Sequence, residues 1–397
     1  MRYKLRFFLF FTAMTLFQLA ANFAHPVTPT IIQELNLPDY MFGLMLAAMM
    51  LSNFLFSPFW GKLNASISSR QTLLIGCLGY AAAQLLFAYS QTQIQILLAR
   101  VLAGVFVGGT FVSFLTYVIN TSKPEDQARF LTYSATIQAV AGAFGYLVGG
   151  VLGEYSIRAT FLLQAGTLAG TGLLFRFICL PDNETAQLPP LKQLVRQSNP
   201  LQAFFDGRHF MNRSFLLLFS LNILLNFGNT GFDQVFNYFL KDQLGLTSSY
   251  NGLIKALVGL ISFVSNMTLC LWIIRKTDTR KSMTALTIGC TAAAAGALLA
   301  PEIRMYIIFS VLVYAGYSVS LPVLQHMVAQ QADPAQKNLV MGFYNATKSL
   351  GSIIGSLLSG FLYAFHAKLP FLVVAVAYGI SILAALLYNS QTKKKNA

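Results

Sequence analysis

A chain of 397 residues that is 55% hydrophobic and only 10% charged, with a mean hydropathy of +0.60, is too apolar for a water-soluble domain, in which roughly a quarter of residues carry charge. The formal charge of +14 raises nucleic acid as a partner, but the placement of the basic residues, given below, excludes it. Cys77, Cys179, Cys270 and Cys290 all fall in apolar stretches without paired spacing, so neither a disulfide framework nor a metal site is indicated.

The start, MRYKLRFFLFFTAM, resembles a signal peptide, yet its apolar region runs too long and no small-residue cleavage site follows. A retained first helix is expected. Twelve apolar runs then follow from end to end, at Phe7–Ile31, Tyr40–Trp60, Thr72–Ser90, Ile94–Ile119, Leu131–Gly153, Ala159–Leu180, Ser214–Leu240, Asn251–Ile274, Ser282–Ala300, Met305–Ala329, Leu339–Ala364 and Phe371–Tyr388. Each is long enough for a hydrocarbon core of ~30 Å. A spanning backbone must satisfy its own polar groups, so these are helices, and the alternating pattern of a transmembrane barrel is missing. With the N-terminus placed in the cytoplasm, inner segments hold 20 of the 27 Lys and Arg, whereas outer loops hold four: Arg158, Lys241, Arg304 and Lys368. That asymmetry puts both termini inside. The sequence therefore reads as a multi-pass protein of the plasma membrane, surrounded by lipid, with no nucleic-acid partner.

In chain order, the first span carries Thr15, Gln18, Asn22 and His25 at spacings that share one helical face. The fourth holds Arg100 with no acidic neighbour, and a cation at membrane depth needs a cavity, a partner or a role. A charged loop, Asn120–Phe130, leads into the fifth span, where Gly142, Gly145, Gly149, Gly150 and Gly153 permit close helix approach. Gly145, Gly149 and Gly150 are expected to meet a helix of the other half. The stretch 181–213 is polar, basic and rich in proline, and it separates an N-terminal six-helix bundle, 1–180, from a C-terminal one, 214–397, with a short basic tail.

The seventh span carries Asn222, Asn226, Asn229, Asp233 and Asn237 on one face, and Asp233 is the one acidic residue placed well inside a span. The tenth adds Tyr314, Tyr317 and Gln325, and the eleventh adds Asn345, Lys348 and Ser352. Lys348 lies ~13 Å into its helix at 1.5 Å per residue, near mid-membrane. Two readings stand for these faces: a water-lined substrate cavity, or interhelical hydrogen bonds that only hold the bundle together. Asp233 is open likewise to pairing with Lys255 on the next span.

The halves repeat each other. Gly145 and Gly355, and Gly150 and Gly360, are offset by 210, Gly43 and Gly252 by 209, and a shift of 208 sets His25 on Asp233 and Gln18 on Asn226. Parallel repeats with a site between them mark one class of secondary transporter.

Twelve spans in a 6+6 repeat resemble the major facilitator superfamily, and the likeness covers the whole chain. Within it, LLARVLAGVFVGG is similar to the fourth-helix motif of the twelve-span drug:proton antiporters, which implies that Arg100 assists proton transfer. Ala141, Gly145, Gly149 and Gly150 match the antiporter motif small-x-x-x-Gly-Pro-x-x-Gly-Gly, with Tyr146 in the proline position. The loop signature Gly-x-x-x-Asp-Arg-x-Gly-Arg-Lys is eroded in GKLNASISSR, where Gly61 and Arg70 remain and Ala65 replaces the aspartate. The matching loop RKTDTRK keeps Asp278, which is expected to carry more of an inner gate.

The resemblance implies an all-α membrane protein of twelve helices in two pseudo-symmetric bundles, by default a monomer. No phosphate-binding loop or catalytic grouping appears, so the chain reads as a non-enzyme without cofactor. Uphill transport must then draw on an ion gradient, with the proton as coupling ion and Asp233, Arg100 and His25 as its handlers. Gln18, Asn22, Asn222, Asn226, Asn229, Tyr314, Tyr317, Asn345 and Lys348 are the cavity candidates. The leading reading is efflux of amphipathic small molecules by alternating access. A facilitator or exporter of a specific solute (an organic anion, a sugar or a lipid-linked glycan) is the alternative, favoured by Arg100 and Lys348. A non-transporting membrane sensor is the third reading.

Overall fold

The computed structural model describes all residues except 1, 2, 65, 183–189, 191–193, 195–197, 334, 335 and 397, and the side chains at 128, 206, 337, 338 and 392–396. Ala65, Pro334 and much of the 181–213 stretch lie outside the described residues. Twelve long helices carry the chain: α1 Tyr3–Ala21, α2 Met41–Asn64, α3 Ser69–Ala88, α4 Gln93–Thr121, α5 Pro124–Tyr155, α6 Ile157–Ile178, α7 Arg213–Asp242, α8 Ser248–Lys276, α9 Thr279–Leu299, α10 Ile303–Gln331, α11 Lys337–Phe365 and α12 Leu369–Asn396. Each is long and apolar enough to cross a membrane.

Helix ends follow local chemistry. Thr92 and Gln95 form a capping box at α4, and Asn212 accepts from the Phe215 amide at α7. Two boundaries depart from expectation. The first apolar run is not one helix: α1 stops at Ala21, residues Asn22–Val27 turn, and a short helix Thr28–Glu34 follows. Pro26 and Pro29 are the reason, since proline lacks an amide hydrogen and crowds the preceding turn. Conversely, most of the expected loop Asn120–Phe130 is helix. Pro124 opens α5, where its missing donor costs nothing, and Glu125 and Asp126 complement the helix dipole in the first turn.

By packing, the chain divides into two compact units: Met1–Leu37, Ala48–Pro200 and Leu246–Gly259, then Pro38–Ala47, Leu201–Gly245 and Leu260–Ala397. Lipid is as apolar as leucine, so close packing and hydrogen bonds must hold each unit together. In unit 1 an aromatic cluster joins α1, α4 and α6, with Phe10 and Tyr117 ring centres 4.8 Å apart and Phe114 and Phe175 5.3 Å apart. Each such pair contributes about 0.5–1.5 kcal/mol beyond area burial. The glycines of α4 make room for α2. A side chain at Gly104 would strike Met49 and Ser52, one at Gly109 would strike Trp60, and the Trp60 indole donates to the Val105 carbonyl at 2.7 Å.

The expectation for the α5 glycines needs correction. Gly145 lies on the Leu19 carbonyl and Gly149 on the backbone of Phe23, both in their own half, and only Gly150 meets α8, at Ser248 and Gly252. Unit 2 repeats the pattern. Gly355 lies on the Phe227 carbonyl, and Gly360 meets Tyr40 and Gly43 at the start of α2. The glycines linked by offsets of 209 and 210 therefore make the same contact in each unit. Even a polar pair recurs: Thr30 and Ser248 oxygens are 3.4 Å apart in unit 1, and Tyr238 donates to Asp39 at 2.6 Å in unit 2.

Candidate functional site

In unit 1 the early end of α1 creates the local chemistry. The Ala21 carbonyl, left without an intrahelical donor, accepts from the Tyr80 hydroxyl at 3.3 Å and Gln164 at 3.4 Å. Gln18 is buried, while Asn22 returns to the Gln18 carbonyl at 2.8 Å. His25 sits in the turn, stacked on Tyr146 with ring centres 5.3 Å apart, and the Lys255 ammonium lies 5.7 Å from the same ring. Arg100 is 5% exposed. Its guanidinium donates to Thr28 Oγ1 at 3.3 Å and stacks 4.2 Å from the Phe87 ring centre. Among the described residues no carboxylate meets it, so an aromatic face and a hydroxyl carry a cation that would otherwise be costly to bury.

The gating-loop candidates fall in three different elements. Gly61 lies within α2, where an added β-carbon would meet nothing within 4 Å. Arg70 lies in the first turn of α3 with its Nε buried and unpartnered. In unit 2, Asp278 caps α9 by accepting from the Arg280 amide at 3.1 Å, and its carboxylate pairs with the Arg280 side chain at 3.9 Å.

Unit 2 contains a hydrogen-bonded ladder along the polar face of α7. Asn222, fully buried, donates to the Tyr344 carbonyl at 2.7 Å and Thr347 Oγ1 at 2.9 Å on α11. Asn226 donates to Asn222, and accepts from the Tyr317 hydroxyl of α10 at 2.7 Å. Two turns further on, Tyr314 donates to Asp233 Oδ1 at 2.9 Å. Asn222 and Asn226 thus serve α7–α11 and α7–α10 packing, whereas Asn229 and Asp233 are half-buried. On α11, Asn345 is exposed and Lys348 half-buried, with no hydrogen bond or ion pair to Lys348 among the described residues.

The profile of the Major Facilitator Superfamily matches residues 8–309 and 280–397. The chain belongs to that superfamily. Among its relatives, quinolone resistance protein NorA of Staphylococcus aureus (strain COL) is 21% identical over 394 residues, covering 96% of this chain and 95% of the relative. Multidrug resistance protein 1 of Bacillus subtilis (strain 168) is 21% identical over 376 residues, covering 93% and 92%. In fold, the chain is similar to a bacterial homologue of the human lysosomal transporter Spinster in its inward-facing, unoccupied conformation, with TM-score 0.80, 13% identity and 98% of both chains covered. It is similar also to the human organic anion transporter MFSD10, with TM-score 0.68, 16% identity, 97% of this chain and 100% of the other. The chain is thus a multi-pass membrane transporter of small molecules, not an enzyme.

Within this superfamily member, three features escaped the sequence reading. Asp182, just after α6, accepts from the Ser68 hydroxyl at 2.7 Å, the Ser69 amide at 2.7 Å and Asn120 at 3.2 Å, and so anchors the start of α3. No local pattern marks a carboxylate that closes contacts more than sixty residues away. Tyr146 shows itself only as a departure from the antiporter motif, and its two basic neighbours come from distant segments. In unit 2, Asp39 and Asp242 are held by the Tyr238 and Tyr363 hydroxyls at 2.6 and 2.7 Å.

Proposed function

We propose that this transporter exports amphipathic small molecules in exchange for protons, with Asp233 as the coupling carboxylate. The Tyr314–Asp233 hydrogen bond carries this reading, because it joins a half-buried carboxylate on α7 to α10. A hydrogen bond to an ionised group is roughly twice as strong as a neutral one. Protonating Asp233 weakens the tie to α10, and releasing the proton restores it. Arg100 and His25, which share unit 1 with the α5 glycines, are the further proton-handling candidates, and Asn229, Tyr317, Asn345 and Lys348 the substrate-facing ones. The two resistance proteins to which the chain is similar support efflux. A monomer of two six-helix halves in the plasma membrane, termini and 181–213 stretch in the cytoplasm, completes the reading.

The test is reconstitution of the purified chain in lipid vesicles, followed by accumulation of a lipophilic fluorescent cation under an imposed pH difference. Accumulation that collapses with a protonophore supports exchange. Equal movement with and without the pH difference refutes it. A second reading, transport of organic anions, is favoured by Lys348, a cation without an acidic partner among the described residues. Uptake of an aromatic carboxylate by the same vesicles, with none of the cation, decides for it.

A further inference from the structure

A groove of about 590 Å³ opens between α8, α9 and α10, wholly within unit 2. One stripe of each helix lines it, including Trp272 of α8, Ala285, Gly289 and Ala293 of α9, and Leu312 and Gly316 of α10. The small residues of α9 and α10 leave the space, and α8 departs from regular winding beside it, with a π-helical turn at Asn266–Cys270. Such single wide turns recur at functional positions. Trp272 is 57% exposed, so the groove opens on the surface of unit 2.

Its dimensions identify an occupant. From Ser282 to Ala293 the lining of α9 extends ~16 Å at 1.5 Å per residue, close to the ~15 Å depth of one leaflet of hydrocarbon. At the end where α8 stops and α9 starts stands the turn Arg275–Lys281, which holds four basic residues: Arg275, Lys276, Arg280 and Lys281. Asp278 engages Arg280, while Arg275, Lys276 and Lys281 are exposed. A basic rim on an apolar slot one leaflet deep matches an anionic lipid, and basic pockets between membrane helices bind such headgroups.

We propose that the groove is a specific site for an anionic phospholipid, one acyl chain lying along α9 and the headgroup phosphate on the Arg275–Lys281 turn. The site goes beyond the transport reading and rests only on the helices crossing a membrane. It gives this transporter a dependence on leaflet composition that its polar face would not.

The test uses the full chain in nanodiscs of phosphatidylcholine carrying increasing phosphatidylglycerol, with retained lipid counted by native mass spectrometry. Gly289→Leu fills the slot, and a β-carbon there meets no atom within 4 Å, so the fold is kept. Lys276→Gln with Lys281→Gln removes two exposed rim charges. Phosphatidylglycerol is expected to be retained in preference to phosphatidylcholine, and the double lysine variant to lower that preference by about 30-fold, roughly a factor of five per charge. Gly289→Leu is expected to release both lipids. Equal retention of the two lipids by the native chain overturns the proposal. So does phosphatidylglycerol retention that is unchanged in Gly289→Leu, or a second copy of the chain found in place of lipid.

Discussion

The coupling role of Asp233 is tested most sharply by two substitutions at one hydrogen bond. Asp233→Asn keeps the shape and an acceptor oxygen but removes the charge that protons would carry. Tyr314→Phe keeps the charge and removes the donor that lies 2.9 Å away. A hydrogen bond to a charged group contributes about 1.5–3 kcal/mol and a neutral one about 0.5–1.5 kcal/mol. Protonation therefore alters the tie between α7 and α10 by roughly 1–1.5 kcal/mol, close to a tenfold bias between conformers. In vesicles, Tyr314→Phe should lower accumulation driven by a pH difference about tenfold, in line with that bias. Asp233→Asn should abolish it. Counterflow with no proton gradient should stay within about twofold of the native rate in both, since exchange of substrate needs no net proton step. If the asparagine variant still concentrates substrate when only a pH difference is imposed, Asp233 is a helix-pairing group and the reasoning fails.

Three further outcomes follow from the packing and charge described. Asp182→Ala strips the acceptor from Ser68, Ser69 and Asn120 and should destabilise the protein by about 2–4 kcal/mol, read as a lower thermal midpoint in detergent, with Asp182→Asn intermediate. Gly149→Leu drives a side chain into the backbone of Phe23 and should remove transport and lower the folded yield, whereas Gly166→Leu, where an added β-carbon meets nothing within 4 Å, should express normally. Lys348→Ala should lose transport and Lys348→Arg keep part of it if this cation holds an anionic group, because alanine removes the positive charge and arginine keeps it. Full vesicle activity in the alanine variant returns Lys348 to packing.

Twelve spans were legible because each holds an apolar run long enough to cross lipid, where a backbone satisfies its own polar groups by forming helix. The packing glycines were legible as a class through their repeat, but not their partners: Gly145 turns to α1, Gly149 to the turn that follows it and Gly150 to α8, because successive faces of one helix meet different neighbours. Spacing put Asn222 and Asn226 beside Asp233 on one face, yet it could not separate positions closed over by α11 from half-buried ones. That distinction depends on how deeply another helix sits against α7. The break after Ala21 was signalled by Pro26 and Pro29, although hydropathy alone runs straight through them. Asp182 left no signal, since its partners are brought to it only by folding.

The repeat divides what is shared from what is particular. Backbone contacts obey it closely: Gly145 on Leu19 answers Gly355 on Phe227, and Gly150 with Gly252 answers Gly360 with Gly43. Side-chain chemistry does not. The place that holds Asp233 within the unbroken α7 holds His25 in the other half, in a turn beyond the end of α1, stacked on a tyrosine at the proline position of the antiporter motif that α5 resembles. Proline would have left the α5 amide ladder open at that point and given His25 no ring to stack on. Tyr146 closes the ladder and supplies a face for two basic groups, His25 and Lys255. The two halves therefore share backbone contacts while one carries a carboxylate, Asp233, and the other two basic groups, His25 and Lys255, at the Tyr146 ring. That difference in side-chain chemistry agrees with the proposal that the Tyr314–Asp233 hydrogen bond of α7 is the coupling element.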